Sequence, residues 1–120
     1  MADGRHVAVE EARELTAFQK NILTVLAEEP RYGLAVKREL EAYYDEEVNH
    51  GRLYPNLDDL VSEGFIEKSA LDKRTNEYAL TEAGMEAVKD DIRFSLAHFL
   101  TDEEREAFVA EIMAARRDDH

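Results

Sequence analysis

Residues 49–64, NHGRLYPNLDDLVSEG, constrain the fold more than any other stretch. Leu53, Leu57, Leu60 and Val61 recur at intervals of 4, 3 and 1, which marks the inner face of an α-helix. Its first turns carry His50, Arg52, Tyr54 and Asn56 on the remaining surface. Pro55 sets where this helix starts. Deep inside a helix, proline costs about 3 kcal/mol. A start between residues 49 and 52 puts Pro55 in the first turn or just past it, with Asn49 as the cap. Gly64 is placed to stop the helix, as glycine commonly does just past a last turn.

The flanks give this helix its neighbours. Residues 7–15 can form a short helix with Val9, Ala12 and Leu15 on one side. Thr16 and Gln19 fit a capping box that opens the next helix, and Leu15 or Phe18, then Ile22, Val25 and Leu26 form its stripe. Pro30 ends that helix by residue 29. Residues 30–33 read as a turn, and 33–44 as a helix with Val36, Leu40 and Tyr43 or Tyr44 inward. Lys37, Arg38, Glu39 and Glu41 then face out.

An acidic connector, residues 45–48, leads to the central stretch. Two helices with a short join, the second polar at its start, make a helix-turn-helix. After Gly64, residues 66–71 and 76–80 alternate as two strands, joined by a hairpin tip at 72–75. Such a hairpin is a wing. Thr81 is placed to cap a long helix running to Phe99, with Met85, Val88, Ile92, Leu96 and Phe99 spaced 3, 4, 4 and 3. That seam suits another helix. Thr101 with Glu104 reads as a second capping box, opening a last helix striped by Phe108, Val109, Ile112 and Met113.

The expected fold is mainly α (α+β): a winged helix-turn-helix with N-terminal and C-terminal dimerisation helices. Its expected parts are an arm at 1–15, the winged helix at 16–80 and the C-terminal helices at 81–120.

Charge bears on the partners. Twenty-eight acidic residues face 15 basic ones, a net charge of −13. Two readings stand: an ordinary acidic cytoplasmic protein, or one adapted to high intracellular salt. In strong salt, screening over a few Å makes a dense carboxylate surface tolerable. Disorder is disfavoured, because the apolar periodicity is regular throughout. The chain has no cysteine, so disulfides and thiol chemistry are excluded. No apolar run reaches membrane-spanning length and the start lacks a signal core, so a cytoplasmic location is expected.

Four runs are similar to those of the PadR family of transcriptional regulators: YGLAVKREL at 32–40, GRLYPNL at 51–57, EGFI at 63–66 and YALTEAG at 78–84. The family typically has a Tyr-Gly opening its second helix, a Gly-Thr-Leu-Tyr-Pro-Ala-Leu run in its recognition helix and a Tyr-x-Leu-Thr-x-x-Gly after its wing. The resemblance covers residues 15–88, and the recognition-helix run is its most specific part. Arg52 stands where the family usually has Thr, and Asn56 where it usually has Ala; these departures leave the expected fold intact, but the family's base preferences do not carry over to this chain. The acidic bias and short C-terminal part look like those of a haloarchaeal member.

The resemblance implies a homodimeric regulator of double-stranded DNA, most simply a repressor, with the stress response as a candidate setting. It assigns the dimer to Met85, Val88, Ile92, Leu96, Phe99, Phe108, Ile112 and Met113, with help from residues 7–15. The rival expectation is a winged-helix protein-interaction module, since a fold does not by itself decide function.

Arg52 and Asn56 are the expected base readers, because arginine pairs bidentately with guanine and asparagine with adenine. His50 joins them, with a phosphate contact as its other option. Tyr54 either meets a phosphate or packs on the first helices. Lys73 and Arg74 on the wing are expected phosphate contacts. Lys37 and Arg38 follow, although Lys37 with Glu41 also fits an ion pair at i,i+4. Tyr32 and Lys20 complete the phosphate set, and Lys68 reads as structural.

Residues 49–80 hold four basic and six acidic side chains, so salt cations are expected to bridge carboxylates and phosphates. The acidic pairs at 58–59 and 90–91 and the run at 102–104 lack a Ca²⁺-loop spacing. With His6, His98 and His120 scattered, no metal or other cofactor is expected. No phosphate loop or nucleophile motif appears, which argues against an enzyme.

Overall fold

The computed structural model describes residues 10–70 and 75–118. The elements are α1 (Ala17–Leu26), β1 (Arg31–Tyr32), α2 (Gly33–Tyr44), α3 (His50–Ser62), β2 (Ile66–Ala70), β3 (Asn76–Leu80), α4 (Glu82–Phe99) and α5 (Glu103–Asp118). The chain divides after Lys89 into two units.

The first unit is the winged helix. Residues 10–12 are helical and end earlier than expected, because residues 13–15 turn toward the start of α1. Ala12 is nonetheless buried and Leu15 packs on the core; Val7 and Val9 lie outside the described residues. α1 opens on the expected box: the Thr16 hydroxyl accepts from Gln19 N at 3.2 Å, and Gln19 Oε1 accepts from Thr16 N at 3.1 Å. Phe18, Ile22, Leu23 and Leu26 carry its stripe into the core.

α2 buries Val36 and Leu40. Of its two terminal tyrosines, Tyr44 turns inward and accepts a hydrogen bond from Asn21 Nδ2 at 2.8 Å. Tyr43 is 74% exposed.

The region 30–33 corrects the sequence reading. It is not only a turn: Arg31 and Tyr32 form β1, paired antiparallel with Tyr78 and Glu77 of β3. Pro30 has no N–H to extend that ladder. The sheet order is β1-β3-β2, with Ile66 opposite Leu80 and Ala70 opposite Asn76. Tyr78 on the central strand is buried beneath it. Burial raises the Tyr78 pKa above its ordinary value, and Asp58 and Tyr54 add to the effect.

α3 ends at a paired turn. Glu63 caps it and Gly64 sits at φ 85°. Phe65 N donates to Leu60 O at 3.0 Å and Gly64 N to Val61 O at 3.1 Å, closing the carbonyls that a helix end leaves open. An L-residue at Gly64 would be strained in that left-handed conformation.

The second unit holds the end of α4 and all of α5. No residue from 90 to 117 is buried. Ile92, Phe94, Phe99, Leu100, Phe108, Ile112 and Met113 are all exposed large apolar side chains. Phe99 and Phe108 meet edge to face at 5.6 Å.

The start of α5 corrects a second expectation. The cap is Asp102, not Thr101: Asp102 Oδ1 accepts from Arg105 N at 2.9 Å. Thr101 N is still bound back to Phe99 O, and its hydroxyl accepts from Arg105 Nη1 at 2.9 Å. A carboxylate at this position also gains from the helix dipole. Among the described residues no helix is long and apolar enough to cross a membrane.

Candidate nucleic-acid interface

The start of α3 is built from its cap upward. Asn49 Oδ1 accepts from Gly51 N at 2.6 Å, and Leu53 N reaches Asn49 O at 3.0 Å. The helix therefore begins at His50, and Pro55 falls just past its first turn. Leu53, Leu57 and Leu60 are buried, which leaves His50 and Arg52 exposed on the outer face.

The side chains on that face are held. The Arg52 guanidinium lies 4.0 Å over the ring of Phe18, placing the first turn of α1 beside that of α3. A cation over an aromatic face is attracted by about 0.5–1 kcal/mol at an exposed site. His50 stacks flat on Tyr54, with ring centroids 5.5 Å apart and planes 4° apart. Tyr54 in turn packs over Gly33: a Cβ there would come within 2.7 Å of Tyr54 Oη. Of the two roles open to Tyr54, packing on the first helices is the one this geometry displays. Asn56 Nδ2 donates to Arg52 O at 2.7 Å, folding the amide back on its own helix.

The connector before α3 is tied down by Glu41. Its carboxylate lies 2.8 Å from Lys37 Nζ and accepts from Val48 N at 2.9 Å. These bonds hold the Glu41 pKa below its ordinary value. Lys37 is thus engaged in the i,i+4 pair, with its side chain 14% exposed. Val48, set among acidic residues in the sequence, is buried in the core.

Arg38 and Tyr32 are exposed, and Lys20 is half-buried on α1. Lys73 and Arg74 lie outside the described residues. Arg31, to which the sequence gives no role, is a structural cation. Its Nε donates to Val25 O at 3.2 Å, and its guanidinium is within 4 Å of Glu28, Glu29 and Glu39. Among the described residues no cluster of three His, Asp or Glu is placed to hold a metal ion.

The α4 residues of the expected dimer seam divide. Val88 packs against the core of the first unit and Met85 is half-buried there, whereas Ile92 and Phe99 are exposed in the second. Leu96 is half-buried.

Comparisons with known proteins bear on the family and the fold. RosR of Halobacterium salinarum, in its RosR-S1 complex structure, is 65% identical, with 91% of this chain and 97% of that chain covered and a TM-score of 0.88. RosR of the same organism grown from NaBr is 65% identical over 91% of this chain and 99% of that chain, with a TM-score of 0.89. The acidic composition fits a halophilic, archaeal relative of this kind. A transcriptional regulator from Clostridium thermocellum shares the fold at 20% identity, over 70% of this chain and 91% of that chain, with a TM-score of 0.58. Among curated proteins none matches. The family model of PadR-like transcriptional regulators matches residues 22–90, from the stripe of α1 to the middle of α4. The chain belongs to the PadR-like family of transcriptional regulators and is a DNA-binding regulator of transcription, not an enzyme.

Proposed function

We propose that this regulator binds double-stranded DNA as a homodimer, with α3 in the major groove of each half-site of a pseudo-palindrome. The observation that carries the reading is the start of α3. It is capped, its apolar side is buried, and it presents Arg52 and His50 on its outer face. Arginine suits guanine there. Asn56 reads adenine once its amide leaves the Arg52 carbonyl. Arg38, Tyr32, Lys20, Lys73 and Arg74 supply phosphate contacts. Tyr54 supports His50 from below as well as reaching a phosphate. Lys37 joins the phosphate contacts only by leaving its pair with Glu41.

The dimer is supported by the second unit, whose apolar side chains have no core of their own. Ile92, Leu96, Phe99, Phe108, Ile112 and Met113 cover one another across two copies, while Met85 and Val88, expected on the same seam, belong to the first unit, where Val88 packs on the core. Two bound recognition helices block polymerase access, which makes the regulator a repressor. The net charge of −13 is accommodated by salt cations lying between nearby carboxylates and DNA phosphates. The cytoplasm is where such a regulator meets its DNA.

The test is selection from a genomic DNA library at molar KCl. Enrichment of one pseudo-palindromic motif, with half-sites about one helical turn apart, is the expected result. No enrichment at any salt concentration by a folded dimer would favour a protein-interaction module instead.

A further inference from the structure

The middle of the outer face of α3 is apolar through its first two turns. Two residues along a helix make roughly 200° of rotation. Pro55 is two residues from Leu53 and from Leu57, both buried, so it lies on the opposite side of the helix, where it is exposed. Gly51, one turn earlier on that side, is exposed as well. A Cβ at Gly51 would meet Asn49 Oδ1 at 3.0 Å and no atom of the core, so the space above it is open. Pro55 weakens the helix, because it has no N–H for the Gly51 carbonyl four residues back. Being exposed and outside the core cluster, it gains no burial in return. Residues that break a local rule without a packing gain are expected at functional sites.

We propose that Pro55 is a specificity-determining residue: its ring reads the 5-methyl group of a thymine in the major groove. This rests on the reading that α3 enters that groove. The pyrrolidine ring offers only C–H surface. Among the groups that base pairs present in the major groove, the thymine methyl is the apolar one; the others are hydrogen-bond donors and acceptors. Gly51, with no side chain, lets this side of the helix come close to the base edges. Side chains three positions apart on a helix are about 5–6 Å from one another. Pro55 follows Arg52 by three, and bases are stacked about 3.4 Å apart. The thymine therefore lies within about two base pairs of the guanine that Arg52 reads.

The experiment takes the operator selected at molar KCl and replaces each thymine of one half-site in turn by uracil, which lacks only the methyl group. Wild type and Pro55→Ser are compared on every version, and melting confirms that both are folded; serine restores the N–H that proline lacks. The expected result is that one replacement weakens wild type about fourfold, as loss of one buried methyl-sized group does. Pro55→Ser should bind the thymine and uracil versions alike. Should Pro55→Ser fail to fold, Pro55→Gln, with a higher helix propensity, carries the same comparison.

A wild type indifferent to every replacement overturns the proposal, as does an operator with no thymine in its half-sites. So does a fourfold ratio that survives in the variant, because a merely structural fault weakens binding to both versions equally. A wild type that selects no motif removes the groove reading and the proposal together. In the other outcomes the wild type still binds its operator, and the groove reading stands.

Discussion

The guanidinium of Arg52 rests 4.0 Å above the ring of Phe18, so the arginine proposed to read a base is braced by the first turn of α1. The Phe18 ring also stacks toward Tyr44, 6.1 Å between centroids. Phe18 thus joins the core to the outer face of α3. A double-mutant cycle of Phe18→Leu and Arg52→Ala in urea denaturation at high salt should give a coupling of about 0.5–1 kcal/mol. Additive effects would mean that the ring does not hold the arginine.

Gly84 and Gly33 are both tight, but for different reasons. At Gly84 the obstacle is the backbone carbonyl of Phe65, which cannot swing away. At Gly33 it is the far end of the Tyr54 side chain. Gly84→Ala should therefore cost about 2–3 kcal/mol by thermal or urea unfolding, in the range of overpacked interiors. Gly33→Ala should cost about half as much, and should weaken operator binding because Tyr54 and its stacked partner His50 must shift. Equal stability losses at the two positions would contradict this difference.

Acid should act on the connector through Glu41. The hydrogen bond from Lys37, with that from Val48 N, holds its folded pKa below the ordinary 4.5. A depressed carboxylate adds stability that is fully present above the unfolded value and is lost as pH falls through the folded one. Wild type should thus lose stability below pH 4.5 more steeply than Glu41→Gln, measured by unfolding at constant salt. Parallel curves would show that the clamp contributes nothing.

The apolar second unit predicts a weaker regulator when its seam is charged. Ile92→Glu or Phe108→Glu should convert the dimer to monomer in sedimentation. Operator affinity should then fall by about a hundredfold or more, the advantage that linked binding commonly has over a single site. A dimer that persists in both variants would place the interface elsewhere.

Salt dependence follows from the charge. Each phosphate neutralised by lysine or arginine ordinarily contributes a slope of about −0.9 to log K against log salt. Bridging cations are taken up rather than released, so a KCl titration should give a slope far shallower than the number of cationic phosphate contacts implies. A full, steep slope would remove the bridging cations from the account.

Much of the fold is legible in the amino-acid sequence because its signals are local. Thr16 with Gln19, Asn49 and Gly64 each act within a few residues of themselves. The stripe of Leu53, Leu57 and Leu60 is periodic and needs no partner to be seen. The features that are not legible depend on residues distant in sequence. β1 is only two residues long and exists because β3 lies beside it. Arg31 has the sequence context of a surface cation, yet three carboxylates and the end of α1 close around it in the fold. The spacing of Phe18 marks it as core, but nothing local shows that its ring meets Arg52 from 34 positions away. The cap of α5 lies one residue beyond the expected position because two good cap formers, Thr101 and Asp102, are adjacent. Only the chain's path out of α4 decides between them.

The most direct test of the central claim is a base-by-base affinity comparison of wild type and Arg52→Ala on the selected operator at molar KCl. Wild type should lose about tenfold or more when one particular base pair in each half-site is changed, the discrimination of a bidentate arginine. Arg52→Ala should bind the original and the changed operator alike. If Arg52→Ala keeps the wild-type profile at every position, or if wild type discriminates at none, α3 does not read DNA through Arg52 and the account fails at its centre.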